Sequence, residues 1–181
     1  NDAPVIVDIE DQSIDEDGSL TLQLSASDVD ADDLTFSAVD GNTSLEINED
    51  QLTVTPESNF YGDVEITVSV SDGEYSDSTT FTLTVNSVND APVLDVISDQ
   101  VIDEDGMFTY TLTASDIDSE DLYYGAMVDG NSILNLDNNF ITITPDSNFN
   151  GSITVTYTVT DGDLSDSNFF ILEVNPVNDV P

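Results

Sequence analysis

The chain has 181 residues, of which 39 are Asp or Glu and none is Lys, Arg, His or Cys, so its formal charge is −39. Nucleic acid and anionic lipid are bound through Lys and Arg, which are absent; imidazole bases, thiolate nucleophiles, disulfides and the usual zinc ligands are absent with His and Cys. With 38% apolar residues, and Val, Ile, Leu and Phe at regular intervals, the chain nonetheless reads as folded. It has no apolar run of the roughly 18 residues that a membrane span needs, and its first residues lack the features of a signal peptide, so it reads as a piece of a longer protein.

The first elements along the chain announce a repeat. Asn1-Asp2-Ala3-Pro4-Val5 returns as Asn89-Asp90-Ala91-Pro92-Val93, and Asn178-Asp179-Val180-Pro181 begins it again. Between these anchors Ile14-Asp15-Glu16-Asp17-Gly18 matches Ile102-Asp103-Glu104-Asp105-Gly106. Ala26-Ser27-Asp28 matches Ala114-Ser115-Asp116, and, after one extra residue near Met127, Asp72-Gly73 matches Asp161-Gly162. The division is therefore 1–88, 89–177 and the start of a further linker at 178–181. Each unit is long enough for its own core.

Within repeat 1, strand A is expected over 4–14, B over 19–27, C over 34–39, D over 43–48, E over 51–55, F over 63–71 and G over 79–86. Leu20, Leu22 and Leu24 alternate with Thr21 and Gln23; Val64, Ile66, Val68 and Val70 alternate with Glu65, Thr67 and Ser69. That is the period of a sheet with one face buried and one wet. Seven such strands in about 90 residues predict an all-β chain of two tandem seven-stranded Greek-key sandwiches of immunoglobulin type.

Strand parity then sorts the carboxylates. The A to B turn (Glu16, Asp17), the E to F turn (Glu57) and the end of G fall at one end of a sandwich. The Asn-Asp linker, the B to C loop (Asp28, Asp30) and the F to G turn (Asp72) fall at the other. In tandem, Glu16, Glu57, Asn89, Asp90, Asp116, Asp118 and Asp161 are expected at one junction, with Asp17 beside them. Asp2, Asp28, Asp30, Asp72, Glu104 and Asp179 are expected as the matching half-sites at the chain's ends. Like charges a few ångströms apart repel by roughly 4 kcal/mol per pair at an effective dielectric of about 20, so the cluster calls for counter-ions. Hard oxygen ligands in flexible geometry suit Ca2+. The competing reading is a solvated acidic coat. Asp28-Val29-Asp30-Ala31-Asp32 has the 1, 3, 5 spacing of an EF-hand loop, but Asp33 replaces its Gly and Val39 its Glu.

These motifs resemble those of cadherin domains, in particular the cadherin-like tandem repeats of large bacterial secreted adhesins. Asp28-Val29-Asp30 and Asp116-Ile117-Asp118 are similar to the family's DxD motif, and Glu16 and Glu104 stand where it places a calcium-binding Glu. Ser87 and Ala91 occupy two positions where the family carries further ligands, and Glu57 (Asp146 in repeat 2) stands in a changed E to F segment. The resemblance implies a calcium-rigidified extracellular module, secreted or at the cell surface, that is not an enzyme. It would serve as a spacer or in adhesion, with calcium, neighbouring repeats and a partner adhesin domain as its partners.

Repeat 2 also carries Tyr123, Phe169 and Ile171 where repeat 1 has Thr35, Thr80 and Thr82. If C, F and G share a sheet, these side chains flank Thr154, Thr156 and Thr158. That gives the alternative function, an accessory polysaccharide-binding domain of a secreted carbohydrate-active protein. Asn42 and Asn150 match glycosylation sequons.

Overall fold

Alternation in the sequence becomes strand pairing wherever one face can be buried. The computed structural model describes residues 1–41 and 43–178; Asn42 and Asp179 lie outside the described residues. Two units separate, Asn1–Val88 and Asn89–Pro181. The first contains β1 (Val5–Ile6), β2 (Gln12–Asp15), β3 (Leu20–Gln23), β4 (Ala26–Ser27), β5 (Thr35–Val39), β6 (Thr43–Asn48), β7 (Gln51–Pro56), β8 (Gly62–Ser71) and β9 (Ser76–Asn86). The second repeats the series as β10 (Val93–Leu94), β11 (Gln100–Asp103), β12 (Phe108–Thr111), β13 (Ala114–Ser115), β14 (Tyr123–Val128), β15 (Ser132–Asp137), β16 (Phe140–Pro145), β17 (Gly151–Thr160) and β18 (Ser165–Asn175). No helix occurs among the described residues.

In unit 1 the sheet β2-β9-β8-β5 packs on β3-β7-β6, with β1 paired to β4; unit 2 has the same order in β11-β18-β17-β14, β12-β16-β15 and β10-β13. These are the seven strands A to G of an immunoglobulin-type sandwich. Strands A and B, however, are each broken where the sequence suggests continuity.

The break in A is a change of sheet. Its first half, β1, pairs antiparallel with β4, and its second half, β2, pairs parallel with β9. Side chains supply acceptors around the switch: Asp77 Oδ2 accepts the Ile6 N–H at 3.0 Å and Asp11 Oδ1 accepts the Thr82 N–H at 2.8 Å. Unit 2 repeats this with Asp166 and Leu94 at 3.0 Å, and Asp99 and Ile171 at 2.8 Å. Strand B breaks where it changes partner: the Leu24 N–H still reaches the Asp50 carbonyl at the D to E hairpin tip, 2.7 Å away, as Leu112 does Asn139, and the next residues, β4 and β13, pair with β1 and β10. Strand G begins at Ser76, earlier than expected, because the F to G hairpin closes tightly with Ser71 opposite Ser76.

The A to B turn explains the Asp-Gly pairs. Asp17 and Asp105 have φ of 59° and 61°, and a Cβ on Gly18 or Gly106 would lie 2.9 or 2.7 Å from the carbonyl oxygen of Asp15 or Asp103. Only glycine fits that approach.

Leu52, Val54, Ile66, Val68, Val70, Phe81 and Leu83 close the core of unit 1. Each such side chain contributes roughly 1.5–3 kcal/mol on burial. Unit 2 is more aromatic: Phe108 and Tyr157 replace Leu20 and Val68 and join Phe170, the counterpart of Phe81, with ring centroids 5.5 Å apart for Phe108–Phe170 and 6.1 Å for Tyr157–Phe170. The Tyr157 hydroxyl accepts the Ile97 N–H at 3.0 Å and donates to the Asp95 carbonyl at 3.2 Å, so this buried ring ties down the sheet switch of unit 2. Tyr157→Phe is expected to destabilise unit 2 by about 1–3 kcal/mol by stranding a buried N–H. Hydrogen exchange should then quicken at Ile97 while the amide of Val68, in unit 1, keeps its protection.

Candidate functional site

At the linker end of each unit, three loops hold carboxylates in one arrangement. In unit 2, Asp116 lies just after β13, and its Oδ1 accepts the N–H groups of Asp118 at 2.8 Å and Ser119 at 2.9 Å. Asp118 Oδ2 in turn accepts the Asp90 N–H at 2.7 Å. Asp161, in the F to G turn, uses Oδ1 to accept the N–H groups of Asp163 and Leu164, both at 2.7 Å, and Oδ2 to accept the Asn89 side-chain amide at 2.7 Å. Thus Asn89, Asp90, Asp116, Asp118 and Asp161 do come together.

Unit 1 does the same with its own residues. Asp28 Oδ1 accepts the Asp30 N–H at 2.8 Å, Asp30 Oδ2 accepts the Asp2 N–H at 2.7 Å, and Asp72 Oδ2 accepts the Asn1 side-chain amide at 3.0 Å. Asp28, Asp72, Asp116 and Asp161 are steered by their own loops' backbone, whereas Asp30 and Asp118 take the linker N–H groups. One oxygen is left out of this accounting in both units: Oδ2 of Asp28 and Oδ2 of Asp116 are buried and take no hydrogen bond from any protein group. A buried anionic oxygen without a donor costs free energy unless a cation answers it.

Asp32 belongs to this cluster although it lies outside the expected ligand set. Oxygens of Asp28, Asp30 and Asp32 lie within 4.8 Å of one another. The readable signal was the 1, 3, 5 spacing; the chain curls back at Ala31, which has φ of 63°, and Glu120 replaces Asp32 in unit 2.

At the opposite end, Glu16 is buried and its Oε1 accepts the Val88 N–H at 2.6 Å, while its own N–H donates to the Asn86 carbonyl at 2.9 Å. Glu104 repeats this with Val177 at 2.6 Å and Asn175 at 2.8 Å. Asp17 Oδ1 accepts the Asn59 N–H at 3.2 Å, fastening the A to B turn to the E to F turn. Glu57 is exposed and lines a groove with Asp40, Thr43 and Thr55. The A to B and E to F turns thus lie together at this end, joined through Asp17 and Asn59. Sequence reasoning missed the sheet-switch carboxylates Asp11, Asp77, Asp99 and Asp166, because nothing in a strand pattern says that a side chain will replace a backbone acceptor.

The outer face of unit 2 also forms. Phe169 pairs across Thr156 to Met127, Ile171 lies opposite Thr154, and Tyr123 lies opposite Thr160 at the far end of the sheet. Strand β11 extends this sheet beside β18 and does not lie over the face.

Hydrogen bonding sets the electrostatics of the two F to G turns. The Tyr75 and then the Glu74 N–H hold the Asp72 carboxyl below the usual carboxylate value of 3.8, and the Asn89 amide followed by the Leu164 and Asp163 N–H groups do so for Asp161. A depressed folded-state pKa contributes stability that is present above 3.8 and is lost as pH falls through the lowered value. Carboxyl NMR titration should therefore place the midpoints of Asp72 and Asp161 below 3.8. Asn89→Ala should raise that of Asp161 and leave that of Asp72 in place.

The fold and its carboxylate clusters set the frame for comparison with known proteins. No curated protein matches the chain. Among solved structures, human protocadherin-24 EC1-2 is similar with a TM-score of 0.57 at 17% identity, covering 98% of this chain and 100% of that one. Drosophila N-cadherin EC1-4 has a TM-score of 0.55 at 19% identity, covering 98% and 50%. An endo-fucoidan hydrolase from glycoside hydrolase family 107 has a TM-score of 0.44 at 20% identity, covering 97% and 29%, a likeness too slight to bear on activity. The chain thus spans half or less of two of these structures, and the likenesses speak to fold alone. The model of the bacterial Ig domain matches residues 1–86 and again 89–170, and the chain belongs to that family as two tandem copies.

Proposed function

We propose that each unit binds calcium at its linker end, and that the chain is a calcium-stiffened, non-catalytic extracellular module of a bacterial adhesin, serving as a spacer or in attachment. The observation that carries this reading is the buried, donor-less Oδ2 of Asp28 and of Asp116 at the centre of each cluster. The donor set fits the ion: Asp2, Asp28, Asp30 and Asp72 in unit 1, and Asn89, Asp90, Asp116, Asp118 and Asp161 in unit 2, offer only hard oxygens. Calcium accepts 6–8 of these in flexible geometry, whereas magnesium demands a stricter octahedron and keeps more water. Bound calcium would also offset part of a −39 charge that no side chain answers.

At the other end, Glu16, Asp17 and Glu57, with Glu104 and Asp179 as half-sites, complete the proposed ligand set. The Val88 N–H is already held by Glu16, so an ion bound by Glu16 and Asp17 would fix the end of unit 1. Bacterial Ig domains are typically extracellular and usually non-enzymatic, and among the described residues no helix is long and apolar enough to cross a membrane. Extracellular calcium would keep sites of moderate affinity filled.

Calorimetric titration with calcium is expected to give two or more ions per chain. Asp28→Ala and Asp116→Ala should each weaken binding at least tenfold in their own unit. Small-angle scattering is expected to show a narrower range of dimensions with calcium than with EDTA. Absence of both the heat and the change in scattering would return the acids to the role of a solvated coat.

A further inference from the structure

The two units share one backbone plan, and against that plan the residues around one cavity of unit 2 stand out. Between the start of edge strand β14 and the β15 to β16 hairpin tip lies a cavity of about 500 Å3, lined by Leu122, Tyr123, Tyr124, Leu136, Asn138 and Asn139. Its size is that of a small-molecule site. Leu122, Tyr124 and Leu136 are partly buried against the core and form a fixed floor and wall, while Tyr123 stands 63% exposed at the rim. Asn139 is anchored, its side-chain amide donating to the Leu112 carbonyl at 2.9 Å.

The corresponding residues in unit 1 are Leu34, Thr35, Phe36, Ile47, Glu49 and Asp50. Two phenols have been gained and two carboxylates replaced by carboxamides, on a hairpin whose backbone is unchanged: φ is 57° at Glu49 and 54° at Asn138. In a chain with 39 acids, a cavity with no charge at all is a marked local departure.

We infer that this cavity is a binding site for a neutral oligosaccharide. The inference is independent of the calcium reading. A sugar ring offers an apolar C–H face that packs on tyrosine and leucine, and an edge of hydroxyls that both donate to and accept from carboxamides and phenols. A polyanion is repelled by the surrounding charge, and a cation finds better partners anywhere else on the surface. A neutral, hydroxyl-rich ligand is the class that suits both the lining and its surroundings. Tyr123, which the sequence places on a face with Phe169, also lines this cavity.

The test is calorimetric titration of the intact chain, in calcium-containing buffer, with cellohexaose, laminarihexaose, mannohexaose and xylohexaose. At least one is expected to bind saturably. The double variant Tyr123→Thr/Asn138→Glu restores the residues that unit 1 carries on the same backbone, so it should fold, as thermal unfolding would verify, and should weaken that binding at least tenfold. Phe169→Thr, on the neighbouring face, should leave it within twofold. No heat from any of the four sugars at millimolar concentration, or binding that the double variant leaves unchanged, would overturn the inference.

Discussion

Every anionic oxygen in this molecule must be answered without a basic side chain. The backbone answers many of them. Asp72 and Asp161 each draw two N–H groups from their own turn, Asp28 and Asp116 do the same after strand B, and Glu16 and Glu104 receive the N–H of the departing linker. Such charge-assisted bonds are stronger than neutral ones, so the acids order the loops that carry them. Asp11, Asp77, Asp99 and Asp166 extend the same chemistry to the sheets by standing in for backbone acceptors where strand A changes sides. What the backbone cannot reach, the inner oxygens of Asp28 and Asp116, is left for a cation.

Much of the fold was legible because alternation and repetition are direct consequences of sheet geometry. Leu20, Leu22 and Leu24, or Val64 to Val70, admit one period and one buried face. Strand parity alone places Asp28, Asp30 and Asp72 at one end and Glu16 and Asp17 at the other. The interruptions of A and B were not legible, since they depend on partners distant in sequence: Asp77 for Ile6, and β1 for β4. The same holds for Tyr157. As one more apolar position in strand F it reads like Val68, and its hydroxyl acquires meaning only against the Asp95 to Ile97 crossover.

The two units also show which positions the fold leaves open. The linker and the A to B turn are repeated almost residue for residue, because the turn needs its glycine and the linker needs its carboxylate acceptors. The core tolerates Leu20 against Phe108 and Val68 against Tyr157, provided that volume is filled and the hydroxyl is satisfied. The rim between strand C and the D to E hairpin tip answers to neither constraint. It is there that Glu49 and Asp50 give way to Asn138 and Asn139, and the chemistry of one repeat departs from the other.

The central claim, that a cation completes what the backbone leaves unsatisfied, is tested most directly by crystals grown in millimolar calcium. The account predicts an ion about 2.3–2.6 Å from Asp28 Oδ2 and another at the same distance from Asp116 Oδ2, each with further oxygens from its own cluster. Finding those two oxygens bonded to protein N–H groups or to water alone, with calcium abundant in the crystal, would contradict it.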